Sequence, residues 1–456
     1  MKRLNMAMLI ACLLLCACGW PGLKEHTTAD RDAAMVQGLD MTEQDVIDCY
    51  IYILARYLVI RQEHIDLAED GVDYNTIKYN ELGKAEFVNP NLDVAYLEAW
   101  FAVDENTPVI LQIPKIENRY YTAQIMDEWA EILYNIHERN FPETPYGKFA
   151  LVLKGSHPAI PDDAVRIEIP SKKTKMLARV ERKGDDEGAV RLQMAFKIIK
   201  LGEPEIAPAV DIPEFTNEKL ITVDAFRQPT FDRVIGSASD SMKLSAAMGK
   251  KARAIAAFVN QSETNKALIE TVITQKALPA FAHFLKTMGD ARGGWIATTG
   301  KLKGFGEDYW FRTAANYAGI WWNNNEEAVY FVGSHDAGGE PLNGDNVYVL
   351  HFKSEDLPDK HVNAYWSLTM LNLPDYRVVP NRLDRFNFNN RSRFTYEKDG
   401  SLKLYLSGEL PKGAPESNWL PAPKGGKLFS MTMRLYVPKA EVLSGAYYLP
   451  PIKKLE

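Results

Sequence analysis

The chain has 456 residues, of which 46% are hydrophobic and 25% are charged. This composition is typical of a globular protein with two or three folded units and excludes extensive disorder. The formal net charge of −7 at pH 7, without a long block of Lys and Arg, excludes a nucleic acid as the principal ligand.

Residues 1–17 have the layout of a bacterial export signal. Two basic residues precede an apolar stretch that is too short to span a bilayer comfortably. The sequence LCAC at residues 15–18 resembles a bacterial lipobox, in which Cys18 is acylated and becomes the new N-terminus. The residue after Cys18 is Gly19 and not an acidic residue. In this respect the sequence resembles lipoproteins that are sorted to the outer membrane and face the periplasm. Residues 18–38 are then a tether, whereas the alternative is an ordinary signal peptide with incidental cysteines.

A helix is predicted from residue 43 to about residue 63. Thr42 and Asp45 are spaced as in a capping box, and the apolar residues that follow recur at helical spacing. Cys49 lies on this apolar stripe, so we expect a buried thiol and not a nucleophile. Because removal of the signal leaves only Cys18 and Cys49, we expect no internal disulfide, and the stability must come from the core.

The alternation of apolar and polar residues divides the chain into three parts. Short alternating runs separated by Pro, Gly and Asn predict strands between residues 85 and 180, and we assign residues 39–215 to an N-terminal helix plus β domain. Periodic segments rich in Ala, Leu and Lys predict a helical bridge at residues 216–303, and alternating runs then predict a jelly-roll-like domain at residues 304–456. The expected fold is multidomain α+β and mostly β, with two β-sandwich or jelly-roll-like domains and a helical segment between them.

The catalytic motifs with the most specific signatures are absent from the sequence. It contains no G-x-S-x-G elbow, no H-E-x-x-H pair, no Walker loop and no G-x-G-x-x-G fingerprint. The eight histidines are scattered, which favours isolated structural histidines over a metal site. We therefore predict neither a metal nor a cofactor.

Polar and aromatic residues concentrate in the first β domain. In NPNLDVAYLEAW, at residues 89–100, Asn91, Asp93 and Tyr96 occupy a turn and the start of a strand. Hydroxyl and amide groups orient small polar ligands in pockets, so Asn91 and Tyr96 are candidate ligand-binding residues. Asp93 is a candidate for general acid–base catalysis together with Asp127.

A second group lies on one predicted strand, RYYTAQIMD at residues 119–127. Alternation places Tyr120 and Gln124 on one face and Arg119 and Asp127 on the other. In one interpretation the Tyr120 face lines a cavity, with Arg119, Tyr120 and Gln124 as ligand-binding residues. In the other, Arg119 and Asp127 form salt bridges at opposite ends of the strand, and the tyrosines pack under a loop.

The segment before the C-terminus offers two further candidates. FSMTMRLYV, at residues 429–437, predicts a half-buried strand with one wholly apolar face, and Arg434 lies on the opposite face. A stiff loop with two prolines places Trp419 ahead of this strand. Trp419 and Arg434 are therefore candidate ligand-binding residues at the wall of a mouth, and the alternative is that Trp419 plugs the end of the barrel.

Two known families share these motifs. NPNLDVAY and PVILQIPKIENRYYTAQIMDEW resemble the domain of unknown function 1254, although relatives usually have Thr where this chain has Val94. DAGGEPLNGDNVYVLHF, AYWSLTMLN, DGSLKLYL, NWLPAP and MRLYVPK resemble its usual companion, the domain of unknown function 1214. The resemblance implies two β-rich domains, the second jelly-roll-like, with helices between them. A hydrolytic role suggested for some relatives has no motif that transfers residue by residue.

The sequence leaves three functions open for a lipid-anchored envelope protein. The first is binding, with or without hydrolysis, of a small molecule in a polar-aromatic cleft, by an enzyme that lacks a recognised nucleophile motif. The second is non-catalytic binding of a carbohydrate through the same aromatic residues. The third is a structural role within a membrane-associated complex. The predicted partners are a small-molecule ligand and, through the lipid anchor, the membrane.

Overall fold

The computed structural model describes residues 34–83, 89–299 and 304–455. The predicted signal peptide, the predicted lipidation site Cys18 and most of the predicted tether lie outside the described residues. Within them, two pairs of packed β-sheets are joined by a layer of helices. This arrangement confirms the predicted fold class.

The first β domain is a sandwich of two mostly antiparallel sheets. Among the described residues, the first helix is the long α1 (Glu43–Leu67). It is followed by β1 (Lys78–Tyr79), β2 (Val94–Ala102), β3 (Val109–Ile113), β4 (Tyr121–Met126), β5 (Ile132–Ile136), β6 (Gly147–Leu153), β7 (Ala164–Ile169), β8 (Lys173–Glu181), α2 (Asp186–Ala195) and β9 (Lys197–Lys200). One sheet has the strand order β1-β2-β8-β4-β5 and the other has the order β7-β6-β3-β9. Their facing sides bury an apolar core that includes Leu97, Leu111, Ile125 and Phe149.

The helical layer is built around α1. Its other members are α3 (Thr230–Gly236), α4 (Ser245–Val259), α5 (Glu263–Val272), α6 (Leu278–Thr287) and α7 (Tyr309–Gly319), and a π-helical turn, Ile273–Ala277, joins α5 to α6. The predicted capping box of Thr42 and Asp45 starts α1, which is buried on nearly all sides between Val46 and Ile60. Cys49 is buried as predicted, and burial raises the pKa of its thiol to about 12. Among the described helices, none combines the length and the apolar character needed to cross a membrane.

The second β domain is also a sandwich. Its elements are β10 (Asp290–Arg292), β11 (Trp295–Ala297), β12 (Ala328–Gly333), β13 (Tyr348–Phe352), β14 (Trp366–Asn372), β15 (Asn387–Asn389), β16 (Leu402–Ser407), β17 (Trp419–Pro421), β18 (Phe429–Tyr436), α8 (Ala440–Leu443) and β19 (Lys453–Lys454). One sheet has the order β10-β11-β12-β18-β14-β15 and the other β17-β16-β13-β19. The apolar face predicted for residues 429–437 lies in the core between them as far as Leu435, and Met431 and Met433 pack there with Leu350 and Leu404. Val437 lies instead at the contact with the first domain.

The structure places two domain boundaries differently from the sequence analysis. β10 and β11 lie inside the predicted bridge 216–303, but they pair in series with β12 and so extend the C-terminal sheet. α7 lies inside the predicted C-terminal domain 304–456, but its apolar side chains pack in the core of the helical layer. The exposed strand β10 has no apolar alternation to reveal it, and an amphipathic helix does not indicate which domain covers its apolar face.

Candidate functional site

The polar-aromatic face of β4 is covered by the C-terminal domain. The predicted alternation holds, because Tyr121, Ala123 and Ile125 lie in the core of the first sandwich. Tyr120, by contrast, packs with residues of the C-terminal domain, and Gln124 is completely buried. The Tyr120 face is therefore mainly a domain interface, and the open cleft predicted along it is not seen.

Gln124 connects the two domains by hydrogen bonds. Its Nε2 donates to the backbone oxygen of Trp322 over 2.7 Å, and its Oε1 accepts from Nη1 of Arg179, also over 2.7 Å. The same Nη1 lies 3.3 Å from Oδ1 of Asn323, and the guanidinium of Arg179 lies 5.5 Å from the ring centroid of Tyr96. These contacts explain why a mid-strand Gln is buried here, next to the half-buried Tyr96.

Three tyrosines from both domains pack together beside this network. The ring of Tyr120 lies 5.7 Å from that of Tyr365 and 5.2 Å from that of Tyr436, and the latter two rings stack at 4.3 Å. Nδ2 of Asn91 donates to the hydroxyl of Tyr436 over 2.6 Å and lies 3.2 Å from that of Tyr365. Asn91 therefore binds C-terminal tyrosines and not an open cavity.

A buried carboxylate, that of Glu327, lies where the domains meet. The hydroxyl of Tyr120 donates to Oε2 over 3.1 Å, and Nη2 of Arg139 donates to both carboxylate oxygens over 2.9 and 2.8 Å. Nε2 of His137 lies 2.7 Å from Oε1. Burial alone would raise the pKa of Glu327, but His137 and Arg139 outweigh it and lower the pKa to about 2.

Asp93 is also bound across the interface. Its carboxylate accepts hydrogen bonds from the amide groups of Asn387 and Asn389, over distances down to 2.6 Å, and its backbone N–H donates to Oδ1 of Asn91. Burial raises the pKa of Asp93, and the amide donors oppose this effect. Asp93 therefore has structural partners on β15.

Asp127 lies in a different place and does not pair with Asp93. β2 and β4 both pair with β8, with Val94 opposite Glu181 and Met126 opposite Lys175, so the two aspartates lie at opposite ends of the sheet. The offset between Val94 and Met126 corresponds to about 20 Å along the strand, and each aspartate lies one residue farther out. The predicted acid–base pair of Asp93 and Asp127 is therefore wrong, because β2 and β4 run in the same direction and Asp93 precedes β2 whereas Asp127 follows β4.

The side chain of Asp127 stabilises a turn. Its Oδ1 accepts the backbone N–H groups of Trp129 and Glu131 over 2.8 and 2.9 Å, and Ala130 within this turn has a φ of +65°. Burial raises the pKa of Asp127 to about 6, and the two backbone N–H donors oppose the effect. The salt bridge predicted for Asp127 is replaced by these backbone hydrogen bonds.

The remaining candidates have partners in separate parts of the molecule. Arg119 donates from Nη2 to Asp185, the N-cap of α2, over 2.8 Å, which is the salt bridge of the second interpretation. Arg434 donates to Thr369 and to Asn89, so it is an interface residue. Trp419 is 4% exposed and donates from Nε1 to the backbone oxygen of Ser407, as expected if it plugs its own domain.

A groove of about 810 Å³ follows the edge of the interface. It is lined on the N-terminal side by Ile116, Glu117, Asn118, Arg119, Tyr120, Glu138, Arg139, Pro145, Tyr146, Glu181 and Lys183, and on the C-terminal side by Asn363, Ala364, Arg391 and Val437. Four of these residues are basic, three are acidic, and several are apolar. Of the predicted site residues, Arg119 and Tyr120 line this groove.

Sequence analysis missed the residues that organise the interface. Glu327 lies 188 positions from Arg139 along the sequence, so it meets Arg139 and the nearby His137 only in the folded chain. One signal was available: a Glu directly before an apolar strand must find partners when that strand is buried. Within the described ranges, no group of three or more His, Cys, Asp or Glu side chains is arranged to hold a metal ion.

Two family models match the chain. Residues 74–200 match the model described as protein of unknown function DUF1254, and residues 327–440 match that of DUF1214. The chain carries one domain of each family. The DUF1254 match covers the first sandwich, and the DUF1214 match covers most of the second. The interface and the groove are therefore shared between the DUF1254 and DUF1214 domains.

Solved structures resemble this chain as well. The VPA0106 protein from Vibrio parahaemolyticus has a TM-score of 0.66 and 22% identity, covering 91% of this chain and 100% of that chain. A protein from Burkholderia cenocepacia, described as uncharacterised, has a TM-score of 0.43 and 10% identity, covering 90% of this chain and 88% of that one. The first comparison supports the fold of the joined DUF1254 and DUF1214 domains and, at this identity, nothing finer. No curated protein matches the chain.

Glu327→Ala tests the buried carboxylate. We expect the substitution to lower the free energy of unfolding by about 3 kcal/mol, because it leaves the buried partners of the carboxylate unpaired. The control is Glu409→Ala, which removes an exposed carboxylate from a surface ion pair and should change stability by less than about 0.5 kcal/mol. Urea unfolding measures both, and equal effects of the two substitutions contradict the central role of Glu327.

Glu131→Gln tests how a buried carboxyl group in the turn after β4 affects stability. Burial, and then the charge of Asp127, raise the pKa of Glu131 to about 7, so the folded chain holds this proton at pH values where the unfolded chain has lost it. Stability from this group is therefore present below about pH 4.5 and falls as the pH rises to about 7. We expect Glu131→Gln to be about 3 kcal/mol more stable than the wild type at pH 8, with little difference at pH 4.5. Urea midpoints that change identically with pH in both proteins refute the assignment.

Proposed function

We propose that this protein binds a small organic anion with an apolar body in the interdomain groove. The observation that carries the proposal is that basic side chains from both domains line one groove together with apolar side chains. The volume of about 810 Å³ lies within the range of about 300–1,000 Å³ that is usual for small-molecule sites. A ligand in this position contacts both domains at once.

The basic residues of the groove favour an anion. Arg139 and Lys183 belong to the first domain and Arg391 belongs to the second. Arg139 and Arg391 remain partly exposed, with 27% and 39% of their side-chain surface accessible, so each can donate further hydrogen bonds. Hydrogen bonds from a guanidinium to a carboxylate or phosphate are stronger than those between neutral groups.

The other lining residues favour an apolar body on the ligand. Ile116, Pro145 and Tyr146 come from the first domain, and Ala364 and Val437 come from the second. Small-molecule sites usually combine such apolar surface with a few polar groups that fix orientation. Hydrolysis is not part of the proposal, because Asp93 and Asp127 lie at opposite ends of the sheet. Sugar binding through Trp419 has no support either, because that ring is buried.

The experiment is a fluorescence titration with 8-anilinonaphthalene-1-sulfonate, an anion with an apolar body. We expect saturable binding, with one site per chain, that Arg391→Gln weakens about tenfold or more because it removes a charge-assisted hydrogen bond. The matched control is Arg382→Gln, since Arg382 is an exposed arginine of the same domain outside the groove. Equal affinities of the two variants, or an absence of binding to the wild type, contradict the proposal.

The protein is further proposed to be a lipoprotein of the bacterial outer membrane that faces the periplasm. The support is the LCAC sequence at residues 15–18 followed by Gly19. A single acyl chain gives only weak membrane binding, whereas several chains on one residue give a stable anchor.

Cys18→Ser tests the anchor, and Cys16→Ser is its matched control two residues away. We expect the wild type and Cys16→Ser to partition into the detergent phase of Triton X-114, and Cys18→Ser to lose this partitioning. Mass spectrometry of the N-terminal peptide should show acyl groups on residue 18. An unmodified Cys18 in membrane-extracted protein would falsify the assignment.

A further inference from the structure

A second cavity lies at the opposite end of β8 from the groove. It has a volume of about 150 Å³ and is bounded by α1, by the start of β8, by the turn after β4 and by the extended segment at residues 204–210. The groove contacts β8 at Glu181 and the cavity contacts it at Lys173, which corresponds to a separation of about 27 Å along the strand. The two sites are therefore distinct.

The cavity is lined by two buried ion pairs. Arg56 donates to Oε1 of Glu128 over 2.9 Å, and Lys173 donates to Oε1 of Glu63 over 2.8 Å. None of the four side chains is more than 9% exposed. Buried ion pairs are costly unless their remaining donors and acceptors are also satisfied.

Each pair retains unused hydrogen-bonding capacity. Nε of Arg56 is buried and has no partner among the described residues. The described donors to Glu63, which are Lys173 and the hydroxyl of Tyr74, both reach Oε1 and leave Oε2 unbound. The residues that line the cavity therefore include one unpaired donor and one unpaired acceptor, which a ligand with one negative and one positive group satisfies.

We propose that this cavity binds a small zwitterion of the amino-acid class, with its carboxylate at Arg56 and its ammonium between Glu63 and Glu128. The volume of about 150 Å³ is close to that of a cavity that holds one benzene molecule, so it accommodates a ligand with about six non-hydrogen atoms. Ala207 and Ser237, which also line the cavity, are exposed to solvent and mark its opening.

The protonation of Glu128 supplies a specific readout. Burial raises the pKa of Glu128 to about 7; Arg56 and Lys173 oppose this effect, whereas Glu63 and Asp127 add to it. The folded chain therefore holds a proton on Glu128 at pH values where a solvent-exposed Glu has lost it. An ammonium group placed beside Glu128 favours the ionised form, so binding releases a proton.

The experiment is isothermal titration calorimetry of the full chain at pH 7 with glycine, L-alanine and β-alanine, in buffers of different ionisation enthalpy. We expect at least one of these probes to bind with release of protons, seen as a binding enthalpy that changes with the ionisation enthalpy of the buffer. Glu128→Gln, which resembles the protonated side chain, should weaken that binding about tenfold or more and abolish the proton release. Acetate and methylammonium, which each carry one half of the zwitterion, should bind at least tenfold more weakly.

A matched pair of variants places the binding in this cavity. Ala207→Trp obstructs the opening and should abolish binding, whereas Ala209→Trp, on the same extended segment but outside the cavity lining, should not. Unchanged urea midpoints of both variants show that they are folded. The proposal is overturned if none of the three amino acids binds, because water is then the occupant. It is also overturned if methylammonium binds as tightly as the amino acids do, or if the Ala207→Trp variant binds them normally.

Discussion

A charge removed from water must be compensated by its neighbours, and the carboxylate of Glu327 shows how this requirement joins the two β domains. Glu327 precedes the first residue of β12 in the second sandwich, but Tyr120, His137 and Arg139 all belong to the first sandwich. The second sandwich alone therefore offers none of these partners. Docking of the domains in one orientation supplies them together, which makes the domain arrangement specific.

The same principle recurs along the interface. Asp93 is bound by two asparagines of β15, and Gln124 and Arg179 are bound by the segment before β12. Apolar contacts tolerate small displacements, whereas hydrogen bonds of 2.6 to 3.3 Å between buried groups do not. The groove lies at the edge of this interface and shares Tyr120 with it. Its shape is therefore set by the polar contacts that orient the two domains.

Sequence reasoning succeeded where a feature depends on neighbours along the chain. The capping box of α1, the burial of Cys49 and the two faces of β4 follow from helical or strand periodicity alone. The site could not be assembled in this way, because its contacts join distant segments: Asp93 is bonded to Asn389, 296 positions away. Alternation determines the face on which a side chain lies, but it gives neither the order of strands nor the direction in which each one runs. The supposed pairing of Asp93 with Asp127 failed for that reason.

β8 shows how a polar pattern can belong to a buried strand. In KTKMLARVE, at residues 173–181, one face is apolar and lies in the first sandwich core, while the other carries Lys173, Lys175, Arg179 and Glu181. A sheet face that carries charged side chains normally contacts solvent. Here α1 and the C-terminal domain cover it, and the charged residues find the partners Glu63, Asp66, Gln124 and Arg391. The groove lies at one end of this charged face of β8 and the cavity lies at the other. At both ends, charged side chains retain hydrogen-bonding capacity for a ligand.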